Sequence, residues 1–191
     1  MGAAGKRYQD LSRFSVPPGF RGRNALWVQL WWVVQDTLFA WSPQICYRFR
    51  VALLRLFGAK IGKNVLIRAS ARVTYPWKLE IGDHVWVGDD TVLYNLAEIH
   101  IGDHVALAHR VYLCTGLHDI GRASFDIGAK PIRLEEQVWL PNDVFVAPGV
   151  TIGAGSVIGA RSSVFHDMPA GMICHGSPCR PVKPRPCQDG Q

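Results

Sequence analysis

Of the seven histidines in the 191 residues, His118 is the one best placed for chemistry. It stands in Leu-Cys-Thr-Gly-Leu-His-Asp (113–119), beside a glycine that lets backbone approach closely and a carboxylate, Asp119. A neutral imidazole, with a reference pKa of about 6.5, is suited to taking the proton from an attacking hydroxyl near neutral pH. A solvated loop histidine would read the same way. Asp89, Asp90 and Asn95 precede it with side chains able to hydrogen-bond a polyhydroxylated acceptor, or simply to satisfy backbone at corners. His84 and His104 each follow an aspartate in Ile-Gly-Asp-His, and His104 and His109 form an H-x4-H pair, a spacing that raises zinc as an alternative.

The elements that must hold these groups are set by a period of six. Starting from Ile61, aliphatic residues return at Ile67, Val73 and Leu79; the frame slips by two and restarts at Ile81, Val87, Leu93 and Ile99. A second slip gives Ile101, Leu107 and Leu113, and after an interruption the series resumes at Leu134, Leu140, Val146, Ile152, Ile158 and Val164. A small or β-branched residue often follows four positions on, as at Val65, Val85, Val105, Val144, Val150 and Ser156. Neither a period of 2 nor one of 3.6 explains the pattern. Short strands joined by tight corners do, with the aliphatic residue stacking on its equivalents in neighbouring coils and glycine at 62, 82, 88, 102, 153 and 159 expected to relieve the corners. Three hexads close one triangular coil. The expectation is an all-β parallel β-helix of about five coils over 58–168, with a helical, aromatic N-terminal extension (1–57), an inserted active-site loop (114–133) and a C-terminal tail (169–191). An inserted loop is unnecessary to such a core, and loops of this kind commonly carry function.

Ile-Gly-Asp-His-Val, Pro-Gly-Val-Thr-Ile-Gly-Ala-Gly-Ser-Val-Ile-Gly-Ala (148–160) and Gly-Ser-Pro-Cys-Arg (176–180) resemble the hexapeptide-repeat acyltransferases. More narrowly, Leu-Arg-Leu-Phe-Gly-Ala-Lys-Ile-Gly (54–62), Pro76-Trp77, the 113–119 segment and the aromatic N-terminus resemble the colanic-acid-type exopolysaccharide acetyltransferases. The resemblance covers nearly the whole chain. It implies a left-handed coil, a hand that chain sterics alone would not give. It further implies His118 as general base, acetyl-CoA as donor without a metal, and a homotrimer with CoA threaded between subunits. The positions carried over for CoA are Ala160, Ser163 and His166 within 163–167, and the basic Arg180 and Lys183, which can pair with phosphates. Many relatives have Thr-Lys where this chain has Phe165-His166. Asp90, Asn95 and Asp119 are the candidates for holding a saccharide acceptor, which a lipid carrier would bring to a membrane.

Charge is uneven. Residues 1–60 hold nine Lys/Arg, among them Lys6 and Arg7, against Asp10 and Asp36, and the rest of the chain has 12 against 13 acids. The basic segment interleaves arginine with Trp27, Trp31, Trp32, Phe39, Trp41, Tyr47, Phe49 and Phe57. Two readings are open for it: an interfacial helix at an anionic membrane, or a cap on the open end of the coil stack. Gln29, Gln35 and Asp36, and then Pro43, interrupt the apolar stretch 25–41, which argues against a spanning helix, and no signal-peptide pattern opens the chain. Five cysteines without a CxxC pair read as reduced thiols. The expected setting is cytoplasmic, at or near the inner membrane face, with no nucleic-acid partner. The leading expectation is O-acetylation of a sugar. N-acetylation of an amino sugar, a non-catalytic scaffold and a zinc enzyme like the γ-type carbonic anhydrases are the rivals.

Overall fold

A computed structural model describes residues 8–187, so Lys6, Arg7 and the last four residues lie outside it. Three parallel sheets form the faces of a triangular prism. Face A stacks Lys60–Ile61, Leu79–Ile81, Ile99–Ile101, Ile132–Leu134 and Thr151–Ile152. Face B stacks Leu66–Ile67, Trp86–Val87, Ala106–Leu107, Trp139–Leu140, Val157–Ile158 and Met172–Gly176, and ends on Cys179–Pro184, which returns antiparallel. Face C stacks Arg72–Val73, Val92–Tyr94, Tyr112–Cys114, Phe145–Val146 and Ser163–Val164. Five coils close completely, and a sixth begins at Met168, which bridges to Ile152, and continues into the last strands of face B. Residues 172–184, expected as tail, are therefore part of the sheet.

The phase of the repeat is as read. From Ile67 to Val164 every aliphatic residue of the series is buried, as are Val65, Val85, Val105, Val144, Val150 and Ser156. Each aliphatic side chain contributes on the order of 1.5–3 kcal/mol by leaving water, less for valine, while the Ser156 hydroxyl is satisfied by the Pro169 carbonyl. Partners are 20 residues apart in the first coils (Ile61↔Ile81, Ile81↔Ile101). Ile101 pairs with Leu134, so the chain between leaves the stack and returns to the same register.

The role assigned to the glycines needs correction. Gly62, Gly82, Gly88, Gly102, Gly153 and Gly159 are absent from the left-handed backbone region. That conformation falls instead on corner residues such as Asn64, His84, His104 and Gln137, and on Asp90, Arg110, Asp143 and Arg161. What the glycines supply is room between coils. A Cβ on Gly102 would sit 2.7 Å from the Glu136 nitrogen, and one on Gly88 2.3 Å from the Ala108 oxygen. The same holds for Gly159, whose missing Cβ would meet His175 at 2.6 Å, so this glycine answers to the next coil.

The first coil is closed by the N-terminal helices α1 (Ala25–Val34) and α2 (Tyr47–Leu56), joined through a π-helical turn at Gln35–Phe39. Asn24 caps α1 by accepting from the Trp27 N–H. Cap side chains serve the exposed edge of every face. Arg55 donates to the Ile61 carbonyl on face A, Arg50 Nε to Ile67 on face B at 2.7 Å, and Trp31 Nε1 to Val73 on face C at 2.8 Å. Gln35 accepts the Val73 N–H. Arg50 is fully buried without a carboxylate partner among the described residues, its charge held by the carbonyls of Ile67, Pro43 and Gln44 and by the Ser42 hydroxyl. Burial lowers its pKa from the usual guanidinium value. The capping reading of this segment is thus realised in detail.

Candidate active site

The interruption is an antiparallel hairpin, more ordered than the loop expected over 114–133. Gly116–His118 pairs with Ile127–Ala129 in the register Gly116↔Ala129, Leu117↔Gly128, His118↔Ile127. Its foot is closed where the Lys130 N–H donates to the Thr115 carbonyl at 2.9 Å. The buried Thr115 hydroxyl accepts from Ala97 and donates to the Tyr94 carbonyl. The hairpin therefore stands on a polar hinge locked into the stack, at the edge between faces C and A.

His118 is exposed on this hairpin. Its ring stacks on Phe125 with centroids 4.2 Å apart and planes 8° from parallel, and Nδ1 lies 2.9 Å from the Phe125 carbonyl oxygen. A carbonyl can only accept, so this partner assigns the hydrogen to Nδ1 and leaves the lone pair on Nε2. Such a ring is oriented to receive a proton at Nε2. Phe14 approaches from the N-terminal segment with its ring centroid 6.0 Å from that of His118, and the Asp10 N–H donates to the Ala123 carbonyl of the hairpin. Sequence reasoning missed both aromatic neighbours; nothing in a one-dimensional pattern marks residue 14 as adjacent to residue 118.

The acceptor candidates separate. Asp119 is turned into the hairpin tip, accepting from the Gly121 N–H at 2.9 Å and pairing with Arg122. Asp90 is exposed in the left-handed region at the edge between faces B and C, its N–H bonded to the Ser70 hydroxyl. It lies across face C from the hairpin. Asn95 must be reassigned: it is fully buried, with Oδ1 accepting the Tyr75 N–H and Nδ2 donating to the Tyr75 carbonyl. It joins two coils and presents nothing to a ligand.

The donor candidates divide between two edges. Ser163 lies half-buried on face C and His166 exposed at the C–A edge, below the hairpin. Ala160 lies at the B–C edge, with Arg180 and Lys183 exposed on the last strand of face B. Phe165 extends an aromatic column along face C: Phe165 to Phe145 at 6.0 Å, Phe145 to Tyr112 at 6.1 Å, Tyr112 to Tyr94 at 6.4 Å. Face B carries a second feature absent from the sequence reading. Leu66, Trp86, Ala106 and Trp139 are in register on its outer side, in a groove of about 720 Å³ that also has Arg68, His104 and Arg185 on its walls. Tryptophan at a position that the repeat assigns to solvent was the available signal.

His104 and His109 do not converge. His104 stacks on His84 with centroids 4.9 Å apart, whereas His109 accepts the Asp89 N–H at the next edge. Among the described residues no group of three His, Cys, Asp or Glu side chains could hold a metal, and no helix is long and apolar enough to cross a membrane. Cys46, Cys114, Cys174 and Cys179 are thiols; burial pushes the Cys179 thiol up to about 11.

A prism of six-residue rungs with a histidine-bearing hairpin expelled from its third coil defines a hexapeptide-repeat acyltransferase. No family model matches the chain. It is, however, 62% identical over 177 residues to the Escherichia coli (strain K12) protein that bears the name colanic acid biosynthesis acetyltransferase WcaF, covering 93% of this chain and 97% of that one. It is 30% identical to the galactoside O-acetyltransferase of Escherichia coli (strain K12) over 70% of this chain and 68% of that one. A crystal structure of a hexapeptide-repeat acetyltransferase from Vibrio cholerae, complexed with acetyl coenzyme A, superimposes with a TM-score of 0.79 at 27% identity, covering 87% and 92% of the two chains. The chain belongs to the hexapeptide-repeat acetyltransferases of the colanic-acid type, and it is an acetyltransferase with the left-handed β-helix of that family.

Proposed function

We propose that the protein transfers acetyl from acetyl-CoA to a sugar hydroxyl during exopolysaccharide assembly, with His118 as general base. The observation that carries the assignment of the base is the Nδ1–H bond to the Phe125 carbonyl, which leaves Nε2 free. The acceptor oxygen attacks the thioester carbonyl carbon while Nε2 takes its proton. The C–S bond then breaks, and the imidazolium returns the proton to the CoA thiolate. No covalent enzyme intermediate is needed. The names of the relatives, one for colanic acid and one for galactosides, support a saccharide acceptor.

The placement of the donor residues supports a homotrimer as the working assembly. His118 and His166 stand at the C–A edge with Ser163 on face C, whereas Ala160 stands at the B–C edge and Arg180 and Lys183 on face B, so one chain does not gather them around one point. A cyclic arrangement that sets the C–A edge of one subunit against face B of the next would. The face B groove, with Trp86 and Trp139, then becomes a wall for the donor.

Transfer of labelled acetyl from acetyl-CoA to a panel of saccharide and saccharide-lipid acceptors tests the reaction. Co-expression tests the shared site. His118→Ala and Arg180→Ala/Lys183→Ala should each be nearly inactive at limiting acetyl-CoA. Random mixed trimers should regain activity at roughly one site in four. A mixture as inactive as its parents would place His118 and the basic pair in the same subunit's site.

A further inference from the structure

The outer side of the N-terminal cap carries a surface that the coil stack does not use. Helix α1 reads Ala-Leu-Trp-Val-Gln-Leu-Trp-Trp-Val-Val, apolar nearly all round. Its inner side buries Val28 and Trp31, while Leu26 (83% exposed), Leu30 and Val33 face solvent at i, i+4 and i+7. A helix of this composition is ordinarily buried on every side. The bare surface continues beyond α1 through Leu38, Trp41 (82% exposed), Ile45 (85% exposed) and Phe49. Leu38, Trp41, Pro43, Cys46 and Phe49 line a shallow recess in it, with little polar surface. Single exposed apolar residues are unremarkable, but a contiguous run of them marks an interaction site.

The charges beside this surface select the partner. Asp36 is the one acid between residues 20 and 60, and its carboxylate is engaged by Arg72. Arg48 and Arg55 stand on the exposed side of α2, interleaved with Phe49, Ala52 and Leu56. A second copy would bring like charges to this contact, because a two-fold interface sets the same patch against itself. An apolar face with a basic flank and no free acid is instead complementary to an anionic bilayer.

We propose that the cap docks on the surface of an anionic membrane, with α1 lying in the interface plane and the axis of the β-helix pointing away from it. In a cyclic trimer a rotation about the axis preserves direction along it, so all three caps face the same side and bind together. Coils repeat at about 4.8 Å and the cap helix adds roughly 10 Å, which places the His118 hairpin, on the third coil, roughly 20 Å from the lipid surface. That height suits the first sugars of a lipid-linked acceptor. This last consequence rests on the function proposed above; the docking itself does not.

Flotation of the full-length protein with phosphatidylcholine vesicles, with and without one-quarter phosphatidylglycerol, tests the docking without any acceptor present. The protein should float with the anionic vesicles and release as salt rises. Trp41→Glu/Ile45→Glu should lower partitioning by roughly tenfold or more, with the melting temperature and transfer to a water-soluble saccharide unchanged. Arg48→Glu should weaken binding mainly at low salt. Wild-type protein that stays unbound, or a double variant that floats as well as wild type, overturns the proposal. So does a doubled mass in light scattering that Trp41→Glu abolishes, which would assign the face to contact between copies. Loss of transfer with intact flotation would defeat the enzymatic reading alone.

Discussion

The coil stack and the hairpin are built on opposite principles. In the stack, the inward residues from Ile67 through Val164 pack on their equivalents in neighbouring coils, and no residue of the series between them is more than marginally exposed. In the hairpin, none of the residues of Gly116–His118 and Ile127–Ala129 is buried, and three cross-strand pairs with the Thr115 foot hold its shape. The stack is therefore where stability resides, and the hairpin can bear a reactive ring without weakening the core. The same register on either side of the insertion makes this separation possible, since Leu134 takes the place beside Ile101 that a continuous repeat would have filled.

The sharpest way to break this division is a charge in the stack. Ile152→Asp puts a carboxylate at a fully buried position between the Leu134 and Met168 rungs. A cost of several kcal/mol is expected, enough to abolish the cooperative melting transition. A soluble variant that melts normally would mean that the interior is not packed as described. The complementary change lies in the hairpin. His118→Ala should lower turnover by about 10²–10⁴ while leaving the melting temperature where it was. A large melting shift would show that the hairpin is part of the cooperative core after all.

Smaller effects refine the comparison. Gly102→Ala adds a Cβ 2.7 Å from a backbone nitrogen of the next coil, a neighbour that cannot rotate away. We expect it to cost about 1–3 kcal/mol in denaturant unfolding, and stabilisation would refute the close-approach role. At the corners the tolerance should be wide. His104→Asn replaces an exposed residue in the left-handed region by one that adopts it readily. Its unfolding free energy should stay within about 0.5 kcal/mol of wild type, and a larger loss would show that the stack of His84 on His104 supports the edge.

The legible part of the site followed from the same repeat. His118 was visible because it falls in the one stretch where the hexad fails, and a break in an exact period localises function as clearly as the period localises the core. Asn95 fits a sugar ligand by type as well as it fits a backbone bridge, and only the coil above, at Tyr75, decides between the two. The glycine columns are ambiguous for a similar reason. A residue without a Cβ satisfies both a positive φ and a tight coil spacing, and the sequence does not distinguish them.

By itself the sequence determined the prism, its phase and the position of the insertion, because burial at a six-residue period is a one-dimensional pattern that each hexad enforces locally. The tertiary structure decided what meets across the coils. It set Phe125 and Phe14 against His118 and assigned Trp31, Arg50 and Arg55 one to each open edge. It also divided the donor residues between two edges and left the outer side of α1 bare. These depend on contacts between residues far apart in the chain, whose cost and benefit are settled only when the whole stack is closed.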